Sequence, residues 1–292
     1  MKTNIKPLLG AGLYLLVTLG FTHSVAAQTD DRIVFWHALT GQIHAVYPDG
    51  SGMTQLTSAG GAWPTWSRNK KYILFNRSTP AGNTTYIMEA VGENNGGRIF
   101  PVISDGGNSG LDWFADDSAI VYQGSDGGLW SVAVDADTGE VGTPELLRAG
   151  NCYAPACSPD GTKIAFTTPG GPGTLVVIHD LRTGAEVSFG GYGPSFSPDG
   201  TRVAYRGTGA VKKGNKITWY PEIFVANVDG TEITQLTSQI WEYINFPKWS
   251  PDGTEIAFWH RANGVNSIRK LTLATGRITV VAKNGQTPDW AP

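Results

Sequence analysis

Short apolar runs alternate with polar turns along most of the chain, and one such run recurs. Cys157-Ser158-Pro159-Asp160-Gly161-Thr162-Lys163-Ile164-Ala165-Phe166 returns as Phe196-Ser197-Pro198-Asp199-Gly200-Thr201-Arg202-Val203-Ala204-Tyr205. It returns again as Trp249-Ser250-Pro251-Asp252-Gly253-Thr254-Glu255-Ile256-Ala257-Phe258. Looser copies occupy residues 66–75, with Arg68-Asn69-Lys70 in the turn, and 113–122, with Ala115-Asp116-Asp117-Ser118 there. In all five copies the first residue, aromatic or Cys157, stands seven positions before the β-branched residue of the next run. The pattern predicts a hairpin. Proline fixes φ, aspartate accepts from backbone N–H groups of the turn, and glycine tolerates positive φ. A third strand is expected downstream, as at residues 223–226, and an Asp229-Gly230 turn leads to a fourth at 233–237. Four strands per unit, repeating every 39 to 53 residues, describe the blades of a propeller.

The two ends of the chain complete one unit. Thr287-Pro288-Asp289-Trp290-Ala291-Pro292 copies the start of a blade, as in Phe246-Pro247-Lys248-Trp249-Ser250-Pro251. The strand that should follow is Ile33-Val34-Phe35-Trp36, at the other terminus. Thr29-Asp30-Asp31-Arg32 supply the four residues that preserve the seven-residue interval from Trp290. The expected fold is therefore all-β, a six-bladed β-propeller of four-stranded antiparallel blades. Strands from the N- and C-termini share the closing blade, so that only short, protected edges remain.

Ahead of that ring, Lys2 and Lys6 precede an apolar stretch over residues 8–21, and Val25-Ala26-Ala27 offers small residues to a signal peptidase. The stretch is shorter than the roughly 20 residues of a spanning helix. Residues 1–27 are read as a cleaved signal peptide and 28–292 as the propeller domain, which places the protein in the periplasm or outside the cell. Removing Lys2 and Lys6 leaves 20 basic residues against 25 acidic ones, a net of −5. No later segment could span a membrane, and a sequence pI near 5.9 argues against binding nucleic acid by bulk charge. With 38 glycines, 31 aromatics and only 16% charged residues, the composition suits a β-rich globular domain and excludes disorder.

The repeated units resemble those of the TolB-like family, the PD40 or WD40-like Tol repeat, whose signature is x-Trp-Ser-Pro-Asp-Gly-x-x-Ile-Ala-Phe. Three copies match it nearly in full. The resemblance implies the propeller and speaks weakly about function. Some members carry an α/β domain before the propeller, whereas here the propeller is expected to begin at the cleavage site. The family also resembles oligogalacturonate lyases, which hold a metal inside the propeller with histidines.

The Ser-Pro-Asp-Gly turns fall on one face of the disc. The opposite face collects the starts of the first strands and the loops between second and third strands. His37 and His260, in Trp36-His37 and Trp259-His260, take equivalent places in neighbouring blades, and Arg206 stands in the Trp position of another. The segments entering first strands add Trp63, Tyr153, Tyr192, Trp241 and Tyr243. The longest loop follows Arg206 and carries Lys212, Lys213 and Lys216. Function tends to sit in varied loops on a rigid scaffold, so His37, Trp63, Tyr153, Tyr192, Arg206, Trp241, Tyr243 and His260 are the candidate ligand contacts. His44 and His179 lie on third strands and read as structural. Two histidines without a third ligand make no zinc site, and turn aspartates spaced one per blade make no calcium site. Cys152 and Cys157, five apart on an extended strand, would be about 16 Å distant, and only a sharp bend at Tyr153-Ala154-Pro155 would bring them within reach of a disulfide. No G-x-S-x-G, H-E-x-x-H, P-loop or dinucleotide fingerprint occurs, and no cofactor, metal or catalytic residue is assigned. The leading expectation is an exported, monomeric, non-enzymatic module that binds a protein or glycan. The alternative is a small lyase or hydrolase using His37 or His260 with Arg206 at the channel mouth.

Overall fold

The computed structural model describes residues 31–292 apart from 81, 105, 172, 214, 215 and 239–241. The signal segment and Trp241 lie outside the described residues. Six antiparallel sheets form, each with its first strand innermost. Blade I runs through Ala62–Trp66, Tyr72–Thr79, Gly82–Glu89 and Ile99–Ile103. Blade II has Gly106–Trp113, Ala119–Gly124 and Leu129–Asp135, with its outer strand split into Glu140–Val141 and Glu145–Arg148. Blade III comprises Tyr153–Cys157, Lys163–Gly170, Gly173–Asp180 and Glu186–Gly190. Blade IV has Tyr192–Phe196, Arg202–Lys213, Lys216–Asn227 and Thr234–Gln235, and blade V has Tyr243–Trp249, Glu255–Ala262, Val265–Thr272 and Arg277–Lys283. Blade VI joins the termini: Gly285–Trp290 pairs with Ile33–His37, followed by Gln42–Val46 and Thr54–Gln55. Ile33 lies opposite Trp290 and His37 opposite Gly285, as the seven-residue interval requires. Each inner strand touches the inner strand of the next blade, which closes the ring.

The core lies between blades. The residues that open the repeats, Trp66, Trp113, Cys157, Phe196, Trp249 and Trp290, are all buried. One layer packs Trp113 and Tyr122 of blade II against Tyr72, Leu74 and Ile87 of blade I, and another packs Phe196 and Tyr205 of blade IV against Ala165, Val176 and Ile178 of blade III. Strand alternation explains this, since each sheet offers one apolar face to each neighbour. Both cysteines are buried free thiols.

The turns behave as their chemistry dictates. Asp252 accepts from the Ser250 hydroxyl at 2.5 Å and the Thr254 backbone N–H at 3.0 Å, while Ser250 Oγ accepts from Glu255 N–H at 2.9 Å. The turns at Asp160 and Asp199 repeat this. Gly161, Gly200 and Gly253 take φ of 70°, 69° and 69°. A Cβ on Gly253 would meet only Pro198, at 3.8 Å, so substitution there costs conformation rather than space. We expect Gly253→Val to destabilise by about 1–2 kcal/mol. Thr254→Val, which loses an exposed hydroxyl bond to Asp252, should cost about 0.5–1 kcal/mol. Urea melts of the two variants check the order, and equal midpoints would show that the glycine conformation is not what limits the turn.

One expected loop is a strand pair. After Arg206 the second and third strands of blade IV continue in register to Lys213 and Lys216, twelve residues each. Val211, Ile217, Thr218, Trp219 and Tyr220 favour extended backbone, and Gly-Asn between the strands is a hairpin signal.

Candidate functional site

On the face away from the Ser-Pro-Asp-Gly turns, every inner strand bends at the same place. Trp63, Gly110, Ala154, Gly193, Phe246 and Thr287 have φ of 56°, 109°, 48°, 64°, 52° and 45°. Register shifts accompany the bends. A bulge of this kind re-aims side chains, here toward the axis. The next residue is Pro64, Leu111, Pro155, Pro194, Pro247 or Pro288, so that five of the six present no N–H to the channel. These residues narrow the axis to a cavity of about 40 Å³, room for a few water molecules. Left-handed backbone at Trp, Phe and Thr is sterically costly, and such residues concentrate at functional positions.

Aromatic rings gather over this constriction. Phe246 of blade V meets Trp63 of blade I edge-on at 4.9 Å and Tyr192 of blade IV at 5.7 Å. Trp259 lies parallel to Phe246 at 6.2 Å and 4.6 Å from Tyr243. The Arg206 guanidinium sits 5.2 Å over the Tyr192 ring. Burial pushes the Tyr192 hydroxyl pKa up, Tyr243 and Tyr153 add to the rise, and Arg206 opposes it. The structure thus brings Trp63, Tyr153, Tyr192, Arg206 and Tyr243 together. It adds Phe246 and Trp259, which the sequence reading passed over although Phe246-Pro247 and Trp259-His260 lie in the same segments.

The two histidines are placed differently. His37 ends its strand with Nδ1 3.1 Å from Thr40 Oγ1 and its ring 4.7 Å from that of His44. His260 is only 3% exposed, with Nδ1 3.2 Å from Ser267 Oγ, so it does not border open solvent. Burial, aided by Arg269 and opposed by Glu242, lowers its pKa from 6.5 to about 4. The sign follows from proton binding. Between pH 6.5 and about 4 the unfolded chain holds a proton that the folded chain refuses, so stability is full above that window and falls with pH inside it. The slope is at most one proton, about 1.4 kcal/mol per pH unit. His260→Gln should flatten the melting temperature between pH 6.5 and 4, and an unchanged profile would place the titration elsewhere. Among the described residues no three His, Cys, Asp or Glu side chains converge as a metal site. His179 pairs with Glu186 at 3.2 Å.

The other mouth is charged, which sequence reading missed. Arg68, Asp112, Lys248 and Asp289 line a cavity of about 310 Å³ with Phe196, Trp249 and Trp290. Asp112 accepts from Arg68 at 3.0 Å and from the Cys157 N–H at 2.8 Å, linking blades I, II and III. Asp289 pairs with Lys248 at 3.0 Å and accepts the Trp66 N–H at 2.7 Å, linking blades V, VI and I. Burial disfavours charge on Lys248, but Asp289 and Asp112 outweigh it and raise its pKa. The available signal was a column: Thr65, Asp112, Ala156, Ser195, Lys248 and Asp289 each precede the opening residue of a repeat, and half are charged.

Residues 145–292 match the TolB beta propeller domain, PD40. The chain belongs to the TolB β-propeller family. Solved structures agree at the level of the fold. TolB from Acinetobacter baumannii superposes with a TM-score of 0.68 at 15% identity, covering 90% of this chain and 67% of that one. A protein assigned as TolB from Agrobacterium tumefaciens gives 0.63 at 19% identity, with coverage of 88% and 90%. An oligogalacturonate lyase in complex with manganese gives 0.51 at 16% identity, with coverage of 86% and 72%. No curated protein matches the sequence. Across this TolB-type ring, no described helix is long and apolar enough to cross a membrane.

Proposed function

We propose that this propeller is an exported, monomeric, non-enzymatic binding module that recognises a protein or glycan at its aromatic mouth. The observation that supports this most is the convergence of Trp63, Tyr192, Tyr243, Phe246 and Trp259, from blades I, IV and V, over left-handed residues of the inner strands. Rings locked by packing offer large contact area at little entropic cost, and Arg206 adds directional donors. Structural likeness to TolB is compatible with a protein partner. The axial cavity beneath is small, about 40 Å³, which favours contact on the rim.

The test is a screen of glycans and of envelope proteins, followed by Tyr243→Ala and Trp63→Ala on whatever binds. Each variant should weaken binding at least tenfold, the loss typical of a central aromatic contact, with folding checked by melting. Asp252→Lys, in a turn of the opposite face, should cost stability and leave affinity unchanged. A protection footprint confined to the Ser-Pro-Asp-Gly face would refute the assignment.

A further inference from the structure

The strand pair that extends blade IV is built unlike the rest of the disc. Its inner neighbour stops pairing at Arg206 and its outer neighbour reaches only Phe224, so residues 207–213 and 216–222 pair with each other alone. Seven residues of strand span about 23 Å. One face of this arm leans on the protein: Gly209 is buried and its partner Tyr220 half-buried. The other face is bare. Trp219 is 64% exposed and Ile217 57%, beside exposed Ala210 and Thr208. No other tryptophan among the described residues is exposed. Lys212 stands at the register position opposite Ile217, and Lys213 pairs with Lys216 at the tip.

Charge is segregated in the same way. Residues 207–222 contain Lys212, Lys213 and Lys216 toward the tip and one acid, the buried Glu222 at the base, a local charge of +2. Residues 31–292 hold 20 basic and 24 acidic residues, so outside the arm the balance is 17 against 23, or −6. An anionic surface would repel the body and attract the arm. Beyond the packed pair Gly209 and Tyr220 the arm runs four more residues, about 13 Å, longer than the roughly 8 Å Debye length at physiological salt. An indole and an aliphatic chain on one face of a two-stranded ribbon, with cations toward its end, suit the boundary between lipid headgroups and acyl chains. A protein partner would have to bring an acidic groove of its own.

We infer that this arm is a peripheral contact for an anionic lipid surface, seating Trp219 and Ile217 at the headgroup level under the attraction of Lys212, Lys213 and Lys216. The contact is separate from the aromatic mouth and stands whether or not that mouth binds a ligand. The test is flotation of the exported protein, residues 28–292, with vesicles of phosphatidylcholine, alone and with phosphatidylglycerol. Wild type should float with the anionic vesicles more than with the neutral ones, and less as salt rises. Replacing Lys212, Lys213 and Lys216 by Gln should weaken the anionic binding about a hundredfold, near fivefold per lysine. Replacing all three by Arg should preserve it. Trp219→Ser should weaken it about tenfold. Equal flotation of wild type and the Gln variant overturns the proposal, as does binding indifferent to lipid charge or loss of binding in the Arg variant. Self-association without lipid that the same Gln substitutions abolish would assign the arm to a second copy instead.

Discussion

Deleting residues 287–292 is expected to lower the stability of the entire ring. The segment is the inner strand of blade VI, and it leaves with three separate connections. Trp290, 6% exposed, is packed between blades, with its indole N–H donated to the Asp31 carbonyl at 3.1 Å. Truncating a buried Trp costs about 3–5 kcal/mol. Asp289 takes with it the pairing to Lys248 and the bond from Trp66 N–H, so blades V and I lose their common partner. Ile33 and Val34 then lose their partners, and the first half of that strand becomes an unpaired edge. Against a typical total of 5–15 kcal/mol, the combined loss leaves little or no folded protein. Trp290→Phe, which keeps a ring in the layer, should lose only part of this. Thermal melts monitored by tryptophan fluorescence decide the matter. A truncated chain that melts with the wild type would show that the termini do not close the ring.

That closure was legible because it rests on an interval and a repeat, both properties of one dimension. The same holds for the hairpins, where Ser-Pro-Asp-Gly specifies its own hydrogen bonds locally. The mouth was legible only in part. Trp63, Tyr192 and Tyr243 could be placed on one face by their position before each inner strand. That Phe246 touches both Trp63 and Tyr192 depends on the radius of the ring, which no local pattern records. His260 shows the opposite failure. It sits one residue past Trp259, where a loop was anticipated, but the strand continues to Ala262 and turns the imidazole inward against Ser267. The left-handed ring was hidden because Trp63, Ala154, Phe246 and Thr287 are not glycine; the recurring proline after it was the visible trace. Blade IV's arm was taken for a loop because the repeat ends its second strand near Arg206 and resumes with the third at Ile223, and nothing in the other blades marks the extension.

The charged mouth leads to the second large effect. Asp112→Ala should destabilise the ring by about 2–4 kcal/mol, below the 3–5 kcal/mol of a fully buried pair because the Arg68 side chain keeps 28% of its surface. The reason lies in what a propeller does to its innermost strands. Each is an edge, and N–H groups facing the axis lack a neighbouring strand. Asp112 caps one of these on Cys157, and its carboxylate also neutralises Arg68, whose Nη2 further donates to the carbonyls of Trp113 and Cys157. Alanine would leave a guanidinium and an N–H that water in the adjoining cavity replaces only in part, because neither regains a charged partner. Asp112→Asn separates the two contributions: its amide oxygen can still accept from Cys157, but the charge of Arg68 is left unpaired. Pairing Asp112→Ala with Arg68→Ala should recover part of the loss, since the double variant removes the stranded cation, and a coupling of about 1–3 kcal/mol is expected from such a cycle. Additive losses in urea unfolding would mean that Asp112 holds the ring through the Cys157 N–H alone, and that Arg68 is a bystander at the channel rim.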